Sequence, residues 1–181
     1  MTLRTAQKKE GFTLVETLVA ISILSLSILA TFTAVQTGLQ ASETSKDQIT
    51  AFYLTQEVME YIKNIRDQNV LGSLSGSAVN WLAGVADTGD ACASGAMCQI
   101  DSPAKTVTSC SGGVITGCSY LKQDASTGLM GYSSGTNTSF KRGVQVQVVS
   151  ADEVKVTVTV TWTTRNTPQT FQVTESLFNR K

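Results

Sequence analysis

The chain has 181 residues, with 14 Lys and Arg against 14 Asp and Glu, so its formal charge is zero. A zero net charge gives no sign of the basic face that nucleic-acid binding requires. It also contains no histidine, which removes the commonest general base and metal ligand, and with them the usual Ser-His-Asp and Cys-His sites. We therefore expect no enzyme, no cofactor, no bound metal and no nucleic-acid partner.

The N-terminal region is a short basic segment followed by a long apolar run. Three basic residues lie before position 10, and from 11 to 42 the only ionisable side chain is Glu16. As a helix, the run Phe12–Leu39 would reach about 40 Å, longer than the ~30 Å hydrocarbon core of a bilayer. The sequence predicts a transmembrane helix within 12–41, with the basic flank in the cytoplasm and the rest of the chain outside it.

Two other interpretations of this region have sequence features against them. A secretory signal peptide also joins a basic to an apolar segment, but here the helical pattern continues without a small-x-small cleavage site. A plain membrane anchor leaves Glu16 unexplained, because a carboxylate at membrane depth costs about 2.5–3.5 kcal/mol on insertion scales and usually has a partner.

The string KKEGFTLVE at residues 8–16 resembles the cleavage and methylation motif of type IV pilins and of type II secretion and competence pseudopilins. In that family a prepilin peptidase cuts after the glycine and methylates the new N-terminal residue. The resemblance implies that 1–11 is a cytoplasmic leader ending at Gly11, that Phe12 is methylated, and that Glu16 acts in assembly. The implied partners are the peptidase, other pilin or pseudopilin subunits and the inner membrane, before incorporation into a filament.

The position of Glu16 also has a physical reason. Cleavage would give Phe12 an α-amino group that is positive at neutral pH, and a carboxylate in a low-dielectric setting attracts such a group strongly. An amine of a neighbouring subunit would set the register between helices. The amine of the same chain is the alternative, since Phe12 and Glu16 would share one face of a continuous helix at i, i+4.

The helix is expected to continue to about residue 68 and to pack on a sheet. Apolar residues recur at steps of three and four along one face, namely at Ala51, Leu54, Val58, Ile62 and Ile65. From 70 to 137 Gly, Ser, Thr, Ala and Asp dominate, which predicts a long loop region with small elements.

The C-terminal part predicts an antiparallel sheet within 140–178. Valines alternate with polar residues from Val144 to Val148 and from Val154 to Trp162, the pattern of half-buried antiparallel strands. Turns are expected at 150–153 and 165–169, followed by a third strand from about 170 to 178. The predicted fold is α+β and pilin-like, with an exported head over 42–181.

Four cysteines lie in the predicted loop region. Their even number in an exported head favours two disulfides, and of the three possible pairings we prefer neighbours, Cys92 with Cys98 and Cys110 with Cys118. A four-thiolate zinc site is the alternative, but the CxxC spacing is missing. The Asp-Thr-Gly-Asp string at 87–90 could contribute to a calcium loop, although a solvated turn is the simpler interpretation.

These observations predict a structural subunit, most like a minor pilin or minor pseudopilin, of a type IV pilus or a type II secretion pseudopilus. It would assemble through its apolar helix after cleavage. The alternative is a tip adhesin that binds its target through the cysteine-bearing loops, since loops carry binding specificity more often than cores do.

Overall fold

The structure is a computed structural model that describes residues 11–179, apart from the side chain of Ser94. The predicted leader, up to residue 10, lies outside the described residues. The chain divides into two compact units, Met1–Ser45 and Lys46–Lys181. Within residues 11–179 the main elements are one α-helix and seven strands: α1 (Leu14–Leu74), β1 (Met97–Asp101), β2 (Thr106–Ser109), β3 (Tyr120–Gln123), β4 (Met130–Gly131), β5 (Thr136–Ser150), β6 (Glu153–Thr164) and β7 (Thr167–Phe178).

Helix α1 begins two residues later and ends six residues later than the sequence predicted. Its end is a Schellman motif, in which Ser77 N–H donates to Gly72 O at 3.0 Å and Gly76 N–H donates to Ser73 O at 3.2 Å. Gly76 has φ of 93°, a left-handed conformation that glycine adopts without steric cost. The helix therefore stops where a glycine can close it, and not at the change in composition near residue 70.

All seven strands form one antiparallel sheet built around β5. One edge of β5 pairs with β6, and the other edge pairs with β3 and then with β1. Strand β6 continues the sheet to β7, while β2 and β4 extend it on the opposite side. The predicted antiparallel sheet and its first hairpin turn are confirmed. The second turn is shorter than the predicted 165–169, because only Arg165 and Asn166 lie outside the strands and β7 begins at Thr167. Strand β5 begins at Thr136, a few residues before the predicted start.

The core of the Lys46–Lys181 unit lies between the second part of α1 and one face of the sheet. Four of the five predicted stripe residues are buried, and Ile65 is partly buried. The alternating residues of β6 bury the same face of the sheet, from Val154 to Trp162. The sequence pattern therefore located both surfaces of the main contact.

The region from 75 to 135 is more ordered than a loop. It contains β1 to β4 and three single-turn 3₁₀ helices among its turns. These strands have two to five residues, so they are too short to produce an alternating pattern that can be separated from a glycine-rich loop. The pairing of β1 and β3 with β5, and of β2 and β4 with those two strands, turns a three-stranded expectation into a seven-stranded sheet.

Candidate functional site

The first turn of α1 is closed by a threonine cap. Gly11, Phe12 and Thr13 are not helical, and Glu16 N–H donates to Thr13 Oγ1 at 3.3 Å while Thr17 N–H donates to Thr13 O at 3.2 Å. Thr13 is thus the N-cap residue, and Thr-Leu-Val-Glu has the spacing of a capping box, Ser/Thr-x-x-Glu. The sequence carried this signal in Thr13 and Glu16, although the charge of Glu16 was its more conspicuous feature.

This cap changes the relation between Phe12 and Glu16. Phe12 precedes the cap and is 81% exposed, so the two residues do not share a helical face at i, i+4 as the intramolecular alternative assumed. The Gly11–Phe12 bond also lies in exposed, non-helical backbone, which is the kind of segment that peptidases cut.

Glu16 lies in the exposed first turn of the helix. The unsatisfied N–H groups and the macrodipole favour a negative charge at this end. Within residues 11–179, no hydrogen bond or ion pair occupies the Glu16 carboxylate. The charge is therefore presented outward at the start of an apolar segment.

The rest of this unit is an apolar helix with its side chains exposed. Every residue from 11 to 43 is exposed, and an 18-residue window of the helix reaches a mean hydropathy of 2.3, so α1 is long and apolar enough to cross a membrane. The hydroxyl groups along it donate to carbonyl oxygens three or four residues earlier, at Thr17, Ser22, Ser27, Thr31, Thr33 and Thr37. These bonds satisfy the hydroxyl donors where water is absent.

Residues 6–32 match the protein family described as Prokaryotic N-terminal methylation motif. The N-terminal segment is therefore a prepilin-type methylation motif. This motif is the signature of type IV pilins and pseudopilins, and it implies a substrate of the prepilin peptidase that assembles with other pilin subunits. The prepilin-type motif and the exposed apolar helix together fit a membrane-anchored, structural pilin-like subunit. Comparisons with curated proteins and with solved structures found no match.

The cysteines pair as neighbours, Cys92 with Cys98 and Cys110 with Cys118. This pairing confirms the preferred alternative, and it engages all four thiols that a zinc site would need. The first disulfide is buried in the core beside β1. The second disulfide is buried as well and closes the nine-residue loop 110–118, whose residues 111–114 are exposed.

The 110–118 loop packs on the outer face of β5. Met97 and Ile115 lie against Gly143, where a Cβ would overlap both side chains, and Lys141 Nζ donates to Thr116 O at 2.7 Å. Val114 remains 50% exposed. Gly117 is also required, since a Cβ there would overlap the carbonyl group of Ser111. The loop is therefore held against β5 by side-chain packing and a hydrogen bond, while Val114 stays exposed.

The carboxylates of the Asp87–Asp90 turn accept hydrogen bonds from nearby groups of the same chain. Asp90 Oδ2 accepts the Asp87 N–H at 2.9 Å, and Asp87 Oδ1 accepts from Asn80 Nδ2 at 3.0 Å and from Thr88 N–H at 2.8 Å. Among the described residues, no group of three or more His, Cys, Asp or Glu is arranged to hold a metal ion. The geometry is that of a closed turn.

Arg142 is the main buried group that the sequence analysis missed. Its side chain is fully buried; Nη1 donates to Leu54 O at 3.1 Å and to Glu57 Oε2 at 3.2 Å, and Nη2 donates to Ile100 O at 2.7 Å. One guanidinium thus joins α1, β1 and β5. The signal was available, because the alternation of Val144 and Val146 places position 142 on the buried face.

Asp101 fixes the far end of β1 to the turn after β4. Its carboxylate accepts from Ser133 Oγ at 2.7 Å and from the N–H groups of Ala104, Tyr132 and Ser133 at 2.9–3.1 Å. Burial raises the pKa of the Asp101 carboxyl, but these hydrogen bonds outweigh burial and hold the pKa below its usual value. Gly131 is needed beside it, since a Cβ there would press on Oδ1.

Proposed function

We propose that this chain is a minor subunit of a type IV pilus or of a type II secretion pseudopilus. The observation that carries the proposal is the combination, at one end of an exposed apolar helix, of a prepilin-type motif and an outward carboxylate. A helix with apolar residues on every side needs lipid or other apolar helices around it, and a single carboxylate among them selects the register in which they pack.

In this proposal the peptidase removes residues 1–11, and 12–41 remains in the inner membrane as the anchor. The head, 42–181, is outside the cytoplasm, where disulfides form and persist. The two disulfides support that location, because their thiols would stay reduced in the cytosol. Assembly then moves the subunit from the membrane into the filament.

Glu16 is proposed to pair with the methylated Phe12 amine of a neighbouring subunit. Two observations support a partner in another chain. Phe12 precedes the helix and does not lie one turn before Glu16 on its face, and the carboxylate has no partner within residues 11–179. The helix cap does not use this carboxylate, because the cap bond runs from the Glu16 main-chain N–H to Thr13 Oγ1.

The charge of Glu16 and the helix cap can be separated by substitution. Glu16→Gln and Glu16→Ala both remove the charge and keep the main-chain bond to Thr13 Oγ1, whereas Thr13→Val removes the cap hydroxyl and keeps the charge. If the charge directs assembly, both Glu16 variants lose incorporation into filaments, while Thr13→Val retains it at a cost of about 1 kcal/mol in helix stability. The measurement is co-purification with filament partners from native membranes.

Intact mass is the control for each variant. Every protein should begin at methylated Phe12, so that failure of assembly is not failure of processing. A Glu16→Gln protein that assembles normally would show that the charge does not direct assembly, and a Thr13→Val protein that fails to assemble would show that the cap does. A mature N-terminus near residue 42 in the unchanged protein would contradict the pilin proposal itself.

A tip adhesin remains a second candidate, and the 110–118 loop favours it. This loop is covalently closed, rigidly seated on β5 and exposes Val114. Substitution of Val114 by Ser should then reduce binding to a target surface without changing filament assembly.

A further inference from the structure

We propose that the outer edge of β7 pairs with β7 of a second copy of this chain to form one continuous antiparallel sheet. The proposal concerns the Lys46–Lys181 unit and does not rest on the pilin assignment. It begins from the sheet order, in which β7 pairs with β6 on one side and no described strand occupies its other side.

The hairpin turn decides which groups β7 turns outward. Arg165 and Asn166 have φ of 50° and 64°, the conformation of a two-residue type I′ turn, so Thr164 and Thr167 form its closing hydrogen-bonded pair. The odd-numbered residues of β7 therefore bond to β6, and the even-numbered residues from 168 to 178 turn their N–H and C=O groups away from it. Pro168, which has no N–H, stands at one of these outward positions, as proline on an edge strand should.

The length and charge of β7 leave this edge open to another strand. It has 12 residues, whereas the edge strands β2 and β4 on the other side of the sheet have four and two. Exposed edges are normally protected by lysines, bulges or short length. Between residues 167 and 178 the only ionisable side chain is Glu175, and Lys63 Nζ lies 2.8 Å from its carboxylate. Apart from Pro168, the edge has no such protection.

The partner that fits this edge is another copy of β7. Among the described strands it is the only edge of matching length, and two neutralised edges approach without repulsion. With antiparallel pairing centred on Gln172, the outward groups of residues 170, 172 and 174 meet those of 174, 172 and 170. On the side facing α1, Phe171 then lies opposite Val173, and on the outer side Thr170 lies opposite Thr174. Across the two-fold axis, apolar side chains thus lie opposite apolar side chains, and threonine hydroxyls lie opposite threonine hydroxyls.

Cross-linking of the full-length chain, expressed alone and purified in detergent, tests the pairing. The four native cysteines are all engaged in disulfides, so Gln172→Cys supplies the single free thiol. At the two-fold axis the Cα atoms would be about 5.5 Å apart, within disulfide range. The matched control is Thr163→Cys, exposed on the neighbouring strand β6 and away from the edge. We expect the Gln172→Cys chain to form at least about ten times more covalent dimer than the control, because only its thiols meet in that geometry.

A charge variant keeps the test independent of cysteine chemistry and of contacts between apolar helices. Gln172→Lys sets two like charges opposite each other and should weaken the dimer, measured by sedimentation in detergent, about fivefold. Thr163→Lys adds the same charge on β6 and should leave the dimer unchanged. Equal cross-linking at 172 and 163, a monomeric unchanged protein, or a dimer that is insensitive to Gln172→Lys would each overturn the proposal.

Discussion

Replacement of Arg142 by alanine should destabilise the head more than any other single polar change. The guanidinium is fully buried and donates to two main-chain carbonyls and to Glu57. Arg142→Ala removes all three bonds at once and leaves a cavity between α1 and the sheet. Removing one member of a buried charged network typically costs about 3–5 kcal/mol, and we expect a loss of that size in the free energy of unfolding.

The contribution of the ion pair alone is much smaller. The Glu57 side chain is 37% exposed, so water can solvate its carboxylate, and solvent screening limits such a pair to about 1 kcal/mol or less. Glu57→Gln leaves the bonds from Arg142 to Leu54 and Ile100 in place. We therefore expect it to cost less than a third of the Arg142→Ala effect, since the carbonyl bonds and burial dominate.

Tryptophan fluorescence offers a direct assay. The two tryptophans, Trp81 and Trp162, both belong to the Lys46–Lys181 unit, so urea unfolding of the full chain in detergent reports on the head alone. Arg142→Ala within about 1 kcal/mol of the unchanged protein would refute the reasoning. A Glu57→Gln variant as unstable as Arg142→Ala would show that the ion pair, and not the carbonyl bonds, holds the guanidinium.

Two further predictions concern Asp101 and the disulfides. The pKa of Asp101 is lowered in the folded state. Its contribution to stability is therefore complete above the unfolded-state pKa of about 3.9 and is lost as the pH falls through the folded-state value. Asp101→Asn should flatten the dependence of the free energy of unfolding on pH below about 4. Replacing both members of either disulfide with serine should cost about 2–3 kcal/mol from the short closed loops. The Cys92/Cys98 change should cost more in urea unfolding, because its serine hydroxyls would lie within the main hydrophobic core cluster, whereas Cys110 and Cys118 are buried outside that cluster.

The sequence by itself determined the features that depend on local composition and period. These features are the apolar run from Phe12, the prepilin-type motif, the buried stripe of α1 and the alternating valines of β6. In each of them many neighbouring residues carry the same signal. A run of 20 or more apolar side chains, or a period of two or 3.6, leaves few structural alternatives. Even the neighbour pairing of the cysteines was the preferred alternative.

The tertiary structure decided what depends on contacts between distant residues. Strands β1 and β3 form because the long strand β5 offers them an edge, and they in turn pair with β2 and β4. Two to five residues contain too little pattern to predict this. Arg142 is buried because three separate segments bring oxygen atoms to one guanidinium. The first turn of α1 depended on both sequence and structure. The capping sequence was visible in Thr13 and Glu16, but only the backbone geometry placed Phe12 outside the helix. The reason is that a cap residue must leave the helical conformation to accept its hydrogen bond.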